Sequence, residues 1–257
     1  MIMPKLSDIL TDETNQTIQG FHYTNVSIEK LGASEYTITH LVIDKTGSVS
    51  SFKNQLEDMM AMSLDACKKS QRALNLIARS TAFNASLHGV DIEEIHGFVP
   101  LSSIDTSKFK GTLNPDGGTP LYDATMEAID SLYSYGKKLY DKQILSNAIV
   151  FIITDGDDNS SQKASPKTIK DTLAKIRRDE VLESIRTILI GINDTDPHFK
   201  DRLEEFRKDA GIDEYVSVGE ATKGKLAKLA QFVSQSTSST SQALGTGGAS
   251  QPVSFTF

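Results

Sequence analysis

YTITHLVIDKTGS, residues 36–48, is the stretch that decides the fold. It runs through apolar and β-branched residues up to Ile43, and a run this short and apolar reads as a strand buried on both faces. The strand ends in Asp44. Two hydroxyls, Thr46 and Ser48, follow at alternate positions, with Gly47 between them to permit a tight turn. A carboxylate and two hydroxyls directed into one small volume form the oxygen donor set that a hard cation such as Mg²⁺ requires. An acid at the end of a buried strand also carries a desolvation cost that something must offset.

A second apolar run, residues 148–154 (AIVFIIT), also ends in an acid, Asp155, followed by Gly156. A third, residues 184–192, and a short strand at 214–218 lie beyond it. Helical spacing fills the intervals. Residues 52–70 carry Leu56, Met59, Met60, Leu64 and Cys67 on one side, with Ser50 or Ser51 as N-cap. Thr119 before Pro120 predicts a helix start, a capping hydroxyl and then proline at the first helical position, and Leu121, Ala124, Ala128, Ile129 and Leu132 form its buried stripe. Further helices are predicted over 166–179, 197–208 and 222–234. Residues 73–83 and 92–101, around a turn-like NASLHGVD, predict a hairpin, and 102–116 a polar loop. Strands alternating with helices specify an α/β chain, a doubly wound, mostly parallel central sheet flanked by helices, Rossmann-like in plan.

With 257 residues and no linker near the middle, one domain is expected over 36–234. Residues 1–35 form an arm, polar up to Gln16, with an edge strand or hairpin around Phe21, Tyr23 and Val26. Residues 235–257 read as a flexible Ser/Thr/Gly-rich tail whose last residues, PVSFTF, return as a strand or dock on a partner. A net charge of −7 and a pI near 5.3 exclude a general nucleic-acid binder and a polybasic membrane-surface protein. The single cysteine, Cys67, fits a reducing compartment, and no apolar run approaches the roughly 18 residues of a membrane span, so a soluble, cytoplasmic protein is expected. The five histidines form no metal-binding pair, and His40 reads as a core residue. Asp157 and Asp158 read as a solvated acidic rim.

In an open parallel sheet, ligands bind beyond the carboxyl ends of the strands where strand order reverses. If the strands ending in Asp44 and Asp155 are neighbours, the side chains of Asp44, Thr46, Ser48, Thr119 and Asp155 converge there. DKTGS (44–48), GGTPLYDA (117–124) and ITDGDDN (153–159), in that order, resemble the three loops of a von Willebrand factor type A domain with a metal-ion-dependent adhesion site, over about residues 36–234. The resemblance implies that Thr46, Ser48 and Thr119 offer hydroxyls to a metal, Mg²⁺ with Mn²⁺ or Ca²⁺ as alternatives, and that Asp44 and Asp155 hold it directly or through waters. An exposed Asp or Glu of a protein partner, such as an AAA+ ATPase or another complex component, would complete the octahedron. Thr46 stands where the family usually has serine, with the same ligand atom. The function implied is metal-dependent protein binding without catalysis, and without nucleic acid or membrane as partner.

The competing reading is a haloacid-dehalogenase-like phosphotransferase, because DKTGS is one residue from the DKTGT loop of P-type ATPases. Asp44 would then be a phosphorylated nucleophile. Against it stand the scrambled order of glycine and acids in TDGDDN, the absence of a counterpart to GGTPL, the lack of membrane spans, and the lack of a lysine placed to hold phosphate.

Overall fold

The structure, a computed structural model, describes residues 13–18, 21–248 and 252–253. Its strands are β1 (Glu13–Ile18), β2 (Phe21–Val26), β3 (Glu35–Asp44), β4 (Leu76–Ser86), β5 (Gly89–Pro100), β6 (Leu145–Thr154), β7 (Ile185–Ile192) and β8 (Glu214–Gly219). Its helices are α1 (Lys53–Lys68), α2 (Leu121–Asp141), α3 (Pro166–Arg178), α4 (Pro197–Ala210) and α5 (Lys223–Thr246). The strands form one sheet in the order β1-β2-β5-β4-β3-β6-β7-β8, parallel except for the β1/β2 and β4/β5 pairs. β3 and β6 are adjacent, in register from Glu35 opposite Leu145 to Ile43 opposite Ile153. From β3 the chain winds outward through β4 and β5, and from β6 it winds the other way through β7 and β8. The β3/β6 boundary is therefore the switch point, and Asp44 and Asp155 lie at its carboxyl end.

Helices on both faces explain why β3, β6 and β7 are apolar without alternation. Leu41, Ile43, Ile149, Phe151 and Ile153 face α1 and α5, while Ile38, Val42, Ala148, Val150 and Ile152 face α2, α3 and α4. The stripes expected on α1 and α2 are buried, Met59, Met60 and Cys67 among them. Burial pushes the Cys67 thiol up to about 11, which leaves it a core group. No helix among the described residues is long and apolar enough to cross a membrane.

Four expectations need correction. The Ser/Thr-rich segment after Ser234 is helical through Thr246, and Ser236, Thr237, Thr240 and Ser241 are buried. These small residues recur at helical spacing and let α5 lie close on α1 and the sheet, where Asn147 Nδ2 donates to the Thr240 carbonyl at 2.7 Å. The helix α1 is preceded by a 3-10 turn over Gly47–Ser51 and has Phe52, with no side-chain cap, at its N-cap position in place of Ser50 or Ser51. The loop at 102–116 is anchored, with Ile104, Phe109 and Leu113 in the core and the buried Glu57 carboxylate accepting from Gly111 N at 2.8 Å and Leu113 N at 2.9 Å. Glu13 to Gln16, expected in a loose arm, belong to β1, which pairs with β2 as a hairpin at the sheet edge. The rest of the arm, residues 1–12, and Ser254 to Phe257 lie outside the described residues; Val253 packs on the α1/α5 side of the core.

Candidate metal centre

β3 delivers Asp44 to the carboxyl edge of the sheet with none of its surface exposed. Its Oδ1 accepts from Thr46 N at 2.8 Å, and its Oδ2 accepts from Thr154 Oγ1, at the end of β6, at 2.6 Å. Thr46 Oγ1 lies 3.0 Å from Ser48 Oγ, which donates to Asp155 Oδ1 at 2.7 Å. Four of the five expected side chains thus form one hydrogen-bonded cluster. The fifth, Thr119, stands against the residue after Asp155: a Cβ on Gly156 would come within 2.9 Å of Thr119 Oγ1, so glycine is needed for this approach. Gly47 N donates to the Gly117 carbonyl at 3.3 Å and ties the first loop to the second.

Burial pushes the Asp44 carboxyl up to about 6, and the Asp155 charge pushes in the same direction. Asp155 is also raised by burial, against the hydrogen bond from Ser48. Among the described residues no three His, Cys, Asp or Glu side chains gather as a metal cluster; the donor set here is two acids and three hydroxyls, all oxygen.

The second and third loops are locked together. Thr119 N donates to Asn159 Oδ1 at 2.7 Å and Asn159 N to the Thr119 carbonyl at 3.0 Å. Thr119 does not cap α2 as expected: the N-cap position is Pro120, and the first free N–H groups of the helix, on Tyr122 and Asp123, donate to Asp158 Oδ1 at 3.1 Å and Ser161 Oγ at 3.0 Å. The capping groups come from the third loop, which leaves the Thr119 side chain free of that task. Asp123 returns the connection by accepting from the backbone N–H groups of Gln162, Lys163 and Ala164. Asp158 is therefore an anchor, and Asp157 forms an ion pair with Arg202; neither belongs to a solvated rim.

His40 is buried, shares a 3.1 Å hydrogen bond with Thr81 Oγ1, and is held neutral by burial well below the usual imidazole range. Lys45, next to Asp44, reaches away from the site to Asp91 and Glu93, each at 2.8 Å. Arg79 and Glu127, both buried, and the half-buried Glu94 form a charged group beneath the site that was not singled out from the sequence. The available signal was a charged residue inside a strand that is otherwise buried on both faces.

No protein-family model and no curated protein matches the sequence. Solved structures do share the fold. A mutant of the PilB minor pilin from Streptococcus sanguinis superposes with a TM-score of 0.56 at 14% identity, over 86% of this chain and 65% of that one. Proximal thread matrix protein 1 from the mussel byssus, in a form with a zinc-occupied metal-ion-dependent adhesion site motif, gives 0.53 at 16% identity over 78% of this chain and 45% of its own. The pilus adhesin SpaC from Lactobacillus rhamnosus GG, in an open conformation, gives 0.50 at 10% over 88% and 33%. The chain thus spans less than two thirds of the length of each. Together with the order of the three loops, these similarities establish that the chain has the von Willebrand factor type A fold.

Proposed function

We propose that this chain is a protein-interaction module, cytoplasmic and without catalytic activity, that holds a divalent cation through Asp44, Thr46, Ser48, Thr119 and Asp155 and uses it to bind an acidic side chain of a protein partner. The observation that carries the reading is the spacing of the oxygens. Thr46 Oγ1 and Ser48 Oγ are 3.0 Å apart, and Ser48 Oγ and Asp155 Oδ1 are 2.7 Å apart. Neighbouring ligands of an octahedral ion with bonds of about 2.1 Å are separated by about 3 Å, so these two separations are compatible with edges of a Mg²⁺ or Mn²⁺ shell; Ca²⁺ takes the same class of donor with longer bonds.

Bound there, the cation would supply positive charge to two crowded carboxylates and an open position for a partner's carboxylate. The mussel protein's zinc-occupied motif supports a divalent ion at such a site. An AAA+ ATPase or another complex component remains the proposed kind of partner. Lys45, beside Asp44, is committed to Asp91 and Glu93 and not to a phosphate site, which speaks against Asp44 as a phosphorylated nucleophile.

The test is thermal unfolding in Mg²⁺ and in chelator. A cation that binds only the folded state, at about 100 times its Kd, adds about 2.7 kcal/mol, which for a domain of this size is a melting shift of about 5–10 °C. Asp44→Ala is expected to stay folded in chelator and to lose most of the shift. Equal melting of the wild type in Mg²⁺ and in chelator would refute the proposal.

A further inference from the structure

Arg79, on β4, is 1% exposed. Its Nε donates to Glu94 Oε2 on β5 at 2.8 Å, and its Nη1 donates to Glu127 Oε1 on α2 at 2.8 Å and to Ser131 Oγ at 2.8 Å. The guanidinium carbon lies 5.4 Å from the centre of the Phe98 ring and 5.8 Å from that of Tyr23. Glu94 also accepts the Thr24 N–H of β2 at 3.0 Å and the Thr24 hydroxyl at 2.6 Å. Three strands and a helix therefore meet at one ion cluster.

The strand geometry is adapted to this cluster. Ala78 faces Val99, but the register then slips twice, so that Thr81 faces Glu94 where an unbroken ladder would have placed His96. The two extra residues in β5 bring Glu94 beside Arg79.

A buried ion cluster adds little stability over apolar residues of the same volume, and its best-attested use is to fix register. Apolar contact is non-directional, so on its own it holds α2 against the sheet more firmly than it fixes the height of the helix along it. Charge-assisted hydrogen bonds fix that height.

The height matters because of a closed ring. β4 rises from Arg79 to Ala85, and Ala85 and Gly118 exchange backbone hydrogen bonds of 2.9 Å each. The chain descends from Gly118 through α2 to Glu127, which the guanidinium joins back to Arg79. The strand leg is about 20 Å long at ~3.3 Å per residue. The other leg, three residues to Leu121 and then helical to Glu127, is at most about 19 Å. The ring is closed at both ends, and Thr119 stands at its apex, one residue past the Ala85–Gly118 pair.

We propose that Arg79 is a positioning residue of the metal centre: through Glu127 and Glu94 it sets the height of α2 and thereby brings Thr119 level with Ser48 and Asp155. This inference rests on the metal reading above.

The test is Mg²⁺ titration calorimetry on the full chain, well below its melting temperature. Arg79→Met/Glu94→Gln/Glu127→Leu replaces the ion cluster without stranding a charge, and it is expected to melt in chelator within a few degrees of the wild type while binding Mg²⁺ about tenfold or more weakly. Arg79→Lys keeps the charge but loses the fork, and it is expected to lose several-fold in affinity; it also serves if the triple variant does not fold. Wild-type Mg²⁺ affinity in either folded variant would overturn the positioning role. Failure of the wild type to bind Mg²⁺ would refute the metal reading itself, a distinct outcome.

Discussion

Two pairs of acids, each with one buried member, are treated in different ways by the fold, Glu94 with Glu127 inside it and Asp44 with Asp155 at the strand ends. Glu94 and Glu127 share a counter-charge supplied from within, Arg79, which the chain itself places between them. Asp44 and Asp155, at the ends of adjacent strands, receive hydroxyls and a backbone N–H, and the charge that acts on Asp44 is that of Asp155, which opposes ionisation. The inner pair has a cationic side chain from the fold itself, whereas for the outer pair the proposal supplies one from solution. On the proposed reading, the cation site lies where the fold sets two acids together without a basic side chain, at its switch point, and the support lies where it supplies one.

The largest effect that separates the two pairs is expected from removing the inner cation. Arg79→Met leaves Glu127 buried and unpaired, for a loss of about 3–5 kcal/mol in urea unfolding. Asp44→Ala, measured in chelator, removes a charge that lacks a counterpart and is expected to cost far less. Similar losses for the two variants would break the comparison.

The next effect is in pH. In chelator, Asp44 has a folded-state value raised to about 6 from an ordinary value of 3.8, so between those values the folded protein binds more protons than the unfolded chain. Stability in chelator should therefore gain about 3 kcal/mol from this group as pH falls from 7 toward 4. Mg²⁺ competes with that proton, so the gap between melting curves in Mg²⁺ and in chelator should close as pH falls through about 6. A gap that does not change between pH 7.5 and pH 5 would show that the cation does not sit on Asp44.

The outer pair was legible in the sequence because each acid terminates a run dominated by apolar and β-branched residues, Ile43 before Asp44 and Thr154 before Asp155. The architecture followed from the same runs and the helical stripes between them. Thr119 was placed in the right loop, although the expected capping role belongs to Asp158 and Ser161, residues whose partners lie about forty positions away. The C-terminal half of α5 was not legible because its buried face is made of Ser236, Thr237, Thr240 and Ser241, a periodicity of small size that a search for apolar residues does not register. Arg79 was missed for a related reason. Its partners come from β5 and α2, and the slip that aligns Glu94 is a property of strand pairing.

The most direct test of the cation site proposed at the strand ends is a count of bound Mn²⁺ by electron paramagnetic resonance, with Mn²⁺ standing in for Mg²⁺. One Mn²⁺ per chain is expected for the wild type, displaced by excess Mg²⁺, and none for Asp44→Ala with Arg79 and its two glutamates intact. A wild-type protein that binds no Mn²⁺, or an Asp44→Ala variant that binds it as the wild type does, would contradict the account.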